Sequence, residues 1–262
     1  MVKHHIDTPL PLISTLPSNC VGYASAKRSV DILLSFIALV ALLPLLAVVA
    51  VGIRVSSSGP ILYRAKRVGL NGKIFTMNKF RTMHYADQNS SASPITAMND
   101  SRVFTLGVWL RRLKIDELPQ LINVLRGEMS IVGPRPEDPQ IVNKYYSQGH
   151  FEAFRVLPGL ASPGSIFNYT HGEQFLGEHD AEKDYVEQLL PIKLAFDIIY
   201  VREASFGYDL KIICRTIWAM LFVAAGKCHF PDPPEMKKAR ELVLKLKSSG
   251  SQGLAPEQAY PG

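Results

Sequence analysis

Cysteine is scarce in this sequence. Cys20, Cys214 and Cys228 cannot form a fully paired disulfide framework, and no C-x-x-C spacing offers a structural zinc site. That favours a reducing compartment. Glycine-rich nucleotide signatures are missing as well. With no G-x-G-x-x-G, no P-loop and no G-x-S-x-G, Rossmann, P-loop NTPase and serine hydrolase readings lose their support. Acidic residues are absent over a long run, none occurring between Asp31 and Asp87. The composition is 47% hydrophobic and 20% charged, which excludes a disordered chain or a polar repeat array. Length allows one substantial domain with appendages.

The charge that is present has a position. The formal net charge is +6, and Arg54, Arg64, Lys66, Arg67, Lys73, Lys79 and Arg81 fill the acid-free run, followed by Arg102, Arg111, Arg112 and Lys114. No helix-turn-helix, RRM or zinc-finger pattern accompanies them, so nucleic acid is not the expected partner. The ordinary alternative is a solvated basic face. A phosphate or membrane reading is favoured by what lies directly upstream.

Val30 to Ile53 is apolar apart from Asp31 at its edge, long enough to span a bilayer, where about 20 residues suffice. A signal peptide is the rival, but the apolar run is long for one and no good cleavage site follows. A buried core helix is the other alternative. Pro44 sits mid-segment, where it removes a backbone hydrogen bond and breaks or kinks a helix. Lys27 and Arg28 flank one end and Arg54 the other, so the positive-inside tendency holds both ends on the cytoplasmic side. A helix that enters one leaflet, kinks at Pro44 and returns satisfies both facts; a proline-kinked span is the alternative.

Residues 1–26 read as a loose leader and 27–56 as the membrane helix. Ile61 to Met83 reads as a β-hairpin turning at Asn71-Gly72. Tyr85 to Ser101 is a polar loop. A helix is expected to start at Asp116, a good N-cap before Glu117-Leu118-Pro119, and to end at Gly127. Ser130 to Pro139 is a short strand running into a proline-flanked loop. Helices are expected at about 180–203 and 208–225, the second interfacial or core. Residues 235–247 form a basic amphipathic helix before a flexible tail. The domain division is thus 57–230 for the main domain, where any catalytic function is expected, and 231–262 for the amphipathic helix and tail.

Asp116-Glu117 is an adjacent acid pair. Successive helical residues diverge by about 100°, so the two carboxylates can take different jobs. Beside Arg111, Arg112 and Lys114 they are placed to bind magnesium and meet a diphosphate. The plain alternative is an N-cap with a dipole-stabilising acid. Arg135 lies between Pro134 and Pro136, whose fixed φ pre-organises a guanidinium suited to phosphate. Lys79 and Arg81 lie two apart on a strand and therefore on one face.

In order, GPILYRAKRVGLNGKIFTMNKFRTM and LRRLKIDELPQLINVLRGEMSIVGPRPE, downstream of a proline-broken apolar segment, resemble the bacterial sugar transferases. These are monotopic phosphoglycosyl transferases, and the likeness runs from about Lys27 to Lys227. The resemblance implies a mixed α/β, mainly helical fold: a compact cytoplasmic catalytic domain, an N-terminal re-entrant membrane helix kinked at Pro44, and amphipathic interfacial helices. It implies transfer of a sugar-1-phosphate from a UDP-sugar to undecaprenyl phosphate with release of UMP, initiating glycan assembly at the cytoplasmic face of a bacterial inner membrane. Downstream glycosyltransferases are the implied further partners. Magnesium is the implied cofactor, with Asp116 as nucleophile and metal ligand and Glu117 as its acidic partner. Phosphate contacts fall on Arg135, and Lys79, Arg81 and Arg67 are the further substrate-binding candidates.

The chain departs from the family pattern at Leu43-Pro44, where Ser-Pro is common. It departs again at Arg67-Val68-Gly69, where Arg-Pro-Gly is common, and at Pro158–Ser165, which replaces a PGITGWAQV-like stretch. A non-catalytic membrane scaffold is the reading from another class.

Overall fold

The computed structural model describes residues 19–85, 100–172, 175 and 181–251. Residues 1–18 of the leader, most of the 85–101 loop and the tail after residue 251 lie outside the described residues.

The apolar run builds α1, Asn19–Ser56, a single 38-residue helix with Pro44 inside it. It starts earlier than the expected boundary at 27, because the polar turn before the apolar run is itself docked. Tyr23 Oη and Lys27 Nζ both donate to Asp209, at 2.7 and 2.9 Å. The more sheltered positions, Arg28, Asp31, Ser35, Ala38, Leu42, Leu46, Val49 and Ile53, recur every three to four residues and form one stripe. Opposite them Leu33, Phe36, Val40, Leu43, Val48 and Val51 are each more than half exposed. Only 11% of the apolar window is buried in the protein, so this is not the core helix of a soluble domain.

Both ends of α1 are tied to one body of protein. Near its start, Arg28 donates to the Val124 and Leu125 carbonyls at 2.6 and 3.1 Å. Asp31 accepts from Ser130 Oγ at 2.7 Å and from the Ile131 amide at 3.2 Å. Near its end, Val49 and Ile53 pack with Phe80, Phe104 and Leu110.

The hairpin follows as expected: β1 (Leu62–Val68) pairs antiparallel with β2 (Ile74–Phe80), from Leu62 opposite Phe80 to Val68 opposite Ile74. Its turn places Asn71 at φ 54° and Gly72 at φ 76°, conformations those two residues adopt readily. α2 (Thr105–Arg112) leads into a 3₁₀ turn, Ile115–Glu117, and then α3, Gln120–Arg126. Gly127 ends α3 at φ 80°, as its position predicts.

β3 (Ser130–Val132) and β4 (Gly159–Ala161) form a two-stranded parallel sheet. α4 (Pro139–Tyr145) and a 3₁₀ stretch, Gln148–Arg155, make the crossover between them. α5 (Pro163–His171) starts under a Ser162 cap. A helical turn, α6 (Ala181–Asp184), and a π-helical turn lead into α7, Leu190–Glu203. α7 is the centre of the main core, with Leu194, Phe196 and Ile198 packed against Phe167 of α5. Ser205 caps α8 (Phe206–Ala224). That helix buries Ile212 and Ala219 while exposing Leu210, Ile217, Trp218, Leu221 and Phe222. α9 (Met236–Ser251) closes the core from the other side of α7, through Met236, Ala239 and Leu242.

Candidate active site

Three pieces of backbone meet at one point. β2 ends in Lys79 and Phe80, the 3₁₀ turn carries Asp116 and Glu117, and the loop after β3 carries Arg135. The loop is held by close backbone packing. A Cβ on Gly133 would lie 2.3 Å from the Leu157 carbonyl oxygen, and one on Gly159 would lie 2.1 Å from the Gly133 nitrogen. The Gly159 amide donates to the Pro134 carbonyl at 2.9 Å. With Pro134 and Pro136 fixing φ on either side, Arg135 has little freedom. Its own amide donates to Asp197 Oδ2 at 3.2 Å, and the Gly164 amide of α5 donates to Asp197 Oδ1 at 3.3 Å. One buried aspartate thereby ties the arginine loop to the start of α5.

The expected N-cap is not what Asp116 does. The turn containing it is preceded by Lys114 in the left-handed region, and neither that turn nor α3 has a side-chain cap. The chain reaches α3 through a tight 3₁₀ turn, so Asp116 lies inside the turn rather than before it. Asp116 is buried, and its Oδ1 has no hydrogen-bond partner among the described residues. Burial, then the neighbouring Glu117 charge, raise its pKa above the ordinary carboxylate value, opposed by Lys79, Lys114 and Arg111.

Glu117 has the opposite surroundings. Arg135 holds it bidentately, Nη2 to Oε1 at 2.6 Å and Nη1 to Oε2 at 3.1 Å. Lys79 Nζ donates to Oε1 at 3.2 Å, and Lys114 Nζ lies 3.5 Å away. Burial acts to raise its pKa, but Arg135, Lys79 and Lys114 together outweigh burial and hold it well below the usual range. Burial pushes Lys79 down to about 8 although Glu117 pulls it back up. Two adjacent acids thus have surroundings that drive them apart: one locked as an anion among cations, the other desolvated with its Oδ1 unpartnered.

A cleft of about 150 Å³ opens beside Glu117, lined by Lys114, Glu117 and Arg135 on one side and by Tyr169 of α5 and Thr216 and Met220 of α8 on the other. Its far wall is the inner side of the helix whose outer side is exposed and apolar.

Of the residues singled out in the sequence, the structure brings together Asp116, Glu117, Arg135 and Lys79. Arg81 is elsewhere. It is completely buried and donates to the Ser57 and Pro60 carbonyls at 2.7 and 2.6 Å and to Ser57 Oγ at 2.7 Å. β2 has ended at Phe80, so the two-residue alternation that would align Arg81 with Lys79 no longer applies. Arg67 is not at the dyad either: it pairs with Asp138, the cap of α4, at 2.7 Å. Pro44 lies within α1, in the apolar run. Lys114 stands out in the sequence only as one of several neighbouring cations, and Tyr169 and Asp197 carry no sequence signal, since separate helices bring them in.

The family model described as bacterial sugar transferase matches residues 22–223. The chain is 38% identical over 202 residues to an undecaprenyl-phosphate glucose phosphotransferase of Komagataeibacter xylinus, covering 75% of this chain and 36% of that protein. It is 35% identical over 210 residues to a UDP-N-acetylgalactosamine-undecaprenyl-phosphate N-acetylgalactosaminephosphotransferase of Aeromonas hydrophila, covering 79% and 46%. It is 36% identical over 209 residues to the exopolysaccharide production protein ExoY of Sinorhizobium fredii, covering 74% and 85%. The chain therefore spans less than half the length of the first two.

Proposed function

The chain belongs to the bacterial sugar transferase family, and we propose that it transfers a sugar-1-phosphate from a UDP-sugar to undecaprenyl phosphate, releasing UMP. The observation that carries this is the contrast within the acid pair: Asp116 is buried with Oδ1 unpartnered, while Glu117 is held by Arg135, Lys79 and Lys114. Asp116 is the nucleophile. Its carboxylate attacks the sugar-bearing phosphorus of the donor, the bond to the bridging oxygen breaks, and UMP leaves. A phosphate oxygen of undecaprenyl phosphate then attacks the aspartyl phosphosugar, freeing the carboxylate and forming the lipid diphosphosugar. Glu117 keeps Arg135 and Lys79 oriented, and those cations meet the charge that develops on the phosphoryl oxygens.

The residues present fit magnesium. This ion is held by one or two carboxylates together with waters and substrate phosphates, and the unpartnered oxygen of Asp116 offers such a ligand. When bound, it would neutralise diphosphate charge.

Membrane attachment follows from α1. Residues on either side of its apolar run bond to the same domain, Arg28 and Asp31 to α3 and β3, and Ser57 to Arg81. Both flanks therefore belong on one side of a bilayer, a helix that enters and returns with Pro44 near its deepest point. The donor is water-soluble and cytoplasmic, which puts the domain on the cytoplasmic face of the inner membrane. The exposed apolar side of α8 is placed to lie in the interface.

The altered 158–165 stretch speaks only weakly for the scaffold reading. That stretch is β4 and the start of α5, and its packing against the Arg135 loop supports a part in building the site. UMP release from a panel of UDP-sugars with undecaprenyl phosphate tests the reading. A burst of UMP without acceptor, with phosphosugar trapped on the protein, is expected. Turnover without any such burst would mean direct attack by the lipid phosphate, and no turnover with any donor would remove the transferase reading.

A further inference from the structure

Lys114 has a backbone that lysine ordinarily avoids. At φ 57° and ψ 18° it lies in the left-handed region, where Cβ crowds the following carbonyl. Among the described residues Asn71 is the other non-glycine residue at positive φ, and asparagine tolerates that region through its short polar side chain. Strain of this kind persists where the surroundings impose it, and it concentrates at functional sites.

The conformation aims the side chain. Lys114 Nζ lies 4.9 Å from the centre of the Tyr169 ring and 3.5 Å from Glu117 Oε1, and the residue lines the cleft. Tyr169 is itself fixed, its hydroxyl donating to the Arg112 carbonyl. Glu117 is already satisfied by Arg135 and Lys79 at 2.6 and 3.2 Å, so Lys114 makes the longest of its three ion pairs. Its side chain is also the most exposed of the three, 31% against 18% for each of the others. A third cation on a doubly paired carboxylate adds little there and is easily drawn away.

We propose that Lys114 is a phosphate-binding residue of the substrate site, its ammonium passing from Glu117 to a phosphate oxygen of a substrate entering the cleft while remaining over the Tyr169 ring. This rests on the transferase reading above. The phosphate is either the diphosphate of the nucleotide donor or the phosphomonoester of the lipid acceptor, and the kinetics separate the two.

Lys114→Gly removes the ammonium and relieves the backbone, since glycine adopts positive φ freely. The melting temperature should hold or rise while kcat/KM for UMP release falls about 10- to 100-fold, the loss of one charge-assisted contact. A rise confined to the donor KM assigns the contact to the diphosphate, and one confined to the acceptor KM assigns it to the lipid phosphate. Lys114→Arg should recover most of the activity. A folded Lys114→Gly, or Lys114→Asn should the glycine variant fail to fold, with activity within about twofold of the parent overturns the proposal. Loss of fold in both variants also overturns it, by making the residue structural. If the unmodified protein releases no UMP with any donor, the transferase reading fails, and thermal-shift titrations with UDP and with undecaprenyl phosphate decide Lys114 separately. Protection by either ligand weakened roughly tenfold in Lys114→Gly supports phosphate binding; unchanged protection by both, or none in the unmodified protein, overturns it.

Discussion

Asp116 and Glu117 are neighbours in sequence with opposite environments, and substitutions should read that difference out. Asparagine is as good an N-cap as aspartate, so if Asp116 were a cap its amide variant would be nearly neutral. The structure gives it no capping bond. Asp116→Asn should therefore abolish UMP release while leaving the melting temperature within a degree or two, and activity near that of the parent would remove the assigned role. Arg135→Lys keeps a charge but loses the planar fork that grips both Glu117 oxygens; it should weaken phosphate binding without unfolding the protein. Lys79 supplies a pH dependence. Its pKa is brought down to about 8 by burial, so its charge is lost as pH rises through that value. A decline in kcat/KM beginning near pH 8 is expected, and Lys79→Arg should move it upward, because arginine stays charged. An unmoved limb would mean another group sets it. The acid pair, Arg135 and Lys79 were legible from residue types and order. The capping alternative was not separable there, because nothing in KIDELP announces the 3₁₀ turn and left-handed Lys114 that carry Asp116 past the cap position.

Elements explain which flanking residues serve the site and which serve the scaffold. The hairpin was legible from its alternation and its Asn-Gly turn, and α3 from its glycine stop. Arg81 was not, because strand periodicity implies a shared face only while the strand lasts, and β2 stops one residue short of it. It instead supplies donors to the chain leaving α1, at the Ser57 and Pro60 carbonyls. Arg81→Met should thus lower the melting temperature by roughly 5 to 10 °C, the consequence of leaving buried acceptors unpaired, with the donor KM little changed in the folded fraction. A selective rise in KM would return Arg81 to the substrate site. Asp197 is the reverse case, silent in the sequence yet central to the site. Burial raises its pKa to about 6, against Lys193 and its hydrogen bonds. Both of its oxygens accept backbone amides, Arg135 on one side and Gly164 on the other. In Asp197→Asn one of those amides would face an NH₂ group. The arginine loop should shift, and kcat/KM should fall about tenfold, as expected when a positioning hydrogen bond is lost. Unchanged kinetics in a folded variant would show the loop to be held by its prolines alone.

On the proposed function the molecule as a whole poses a problem of reach, since a soluble nucleotide sugar and a lipid phosphate would have to meet at one acid pair. The solution joins α1 and the catalytic domain at both ends of an apolar run. A helix from Arg28 to Ile53 that stayed straight would be about 38 Å long at 1.5 Å per residue. Spanning a bilayer would carry one of those ends away from a domain that both ends contact. Pro44, which lacks an amide proton and crowds the preceding turn, is where a bend costs least. The charge flanks in the sequence point the same way, but the bonds that fix the ends, Asp31 to Ser130 and Arg28 to α3, join residues about 100 positions apart and are invisible to any local pattern. In a background lacking the native cysteines, Ser25→Cys and Ser58→Cys should both label only from the cytoplasmic side. Labelling of the first from the periplasm would establish a span. Pro44→Leu restores the missing amide and favours a straight helix, so part of the population should then expose position 25 to the periplasm. Activity should fall in proportion to that fraction, because a crossed N-terminal flank cannot keep Arg28 on α3 or Lys27 on Asp209. If Pro44→Leu left both the labelling pattern and the UMP release unchanged, the end contacts alone would hold the helix on one side, and the proline would have no part in the topology.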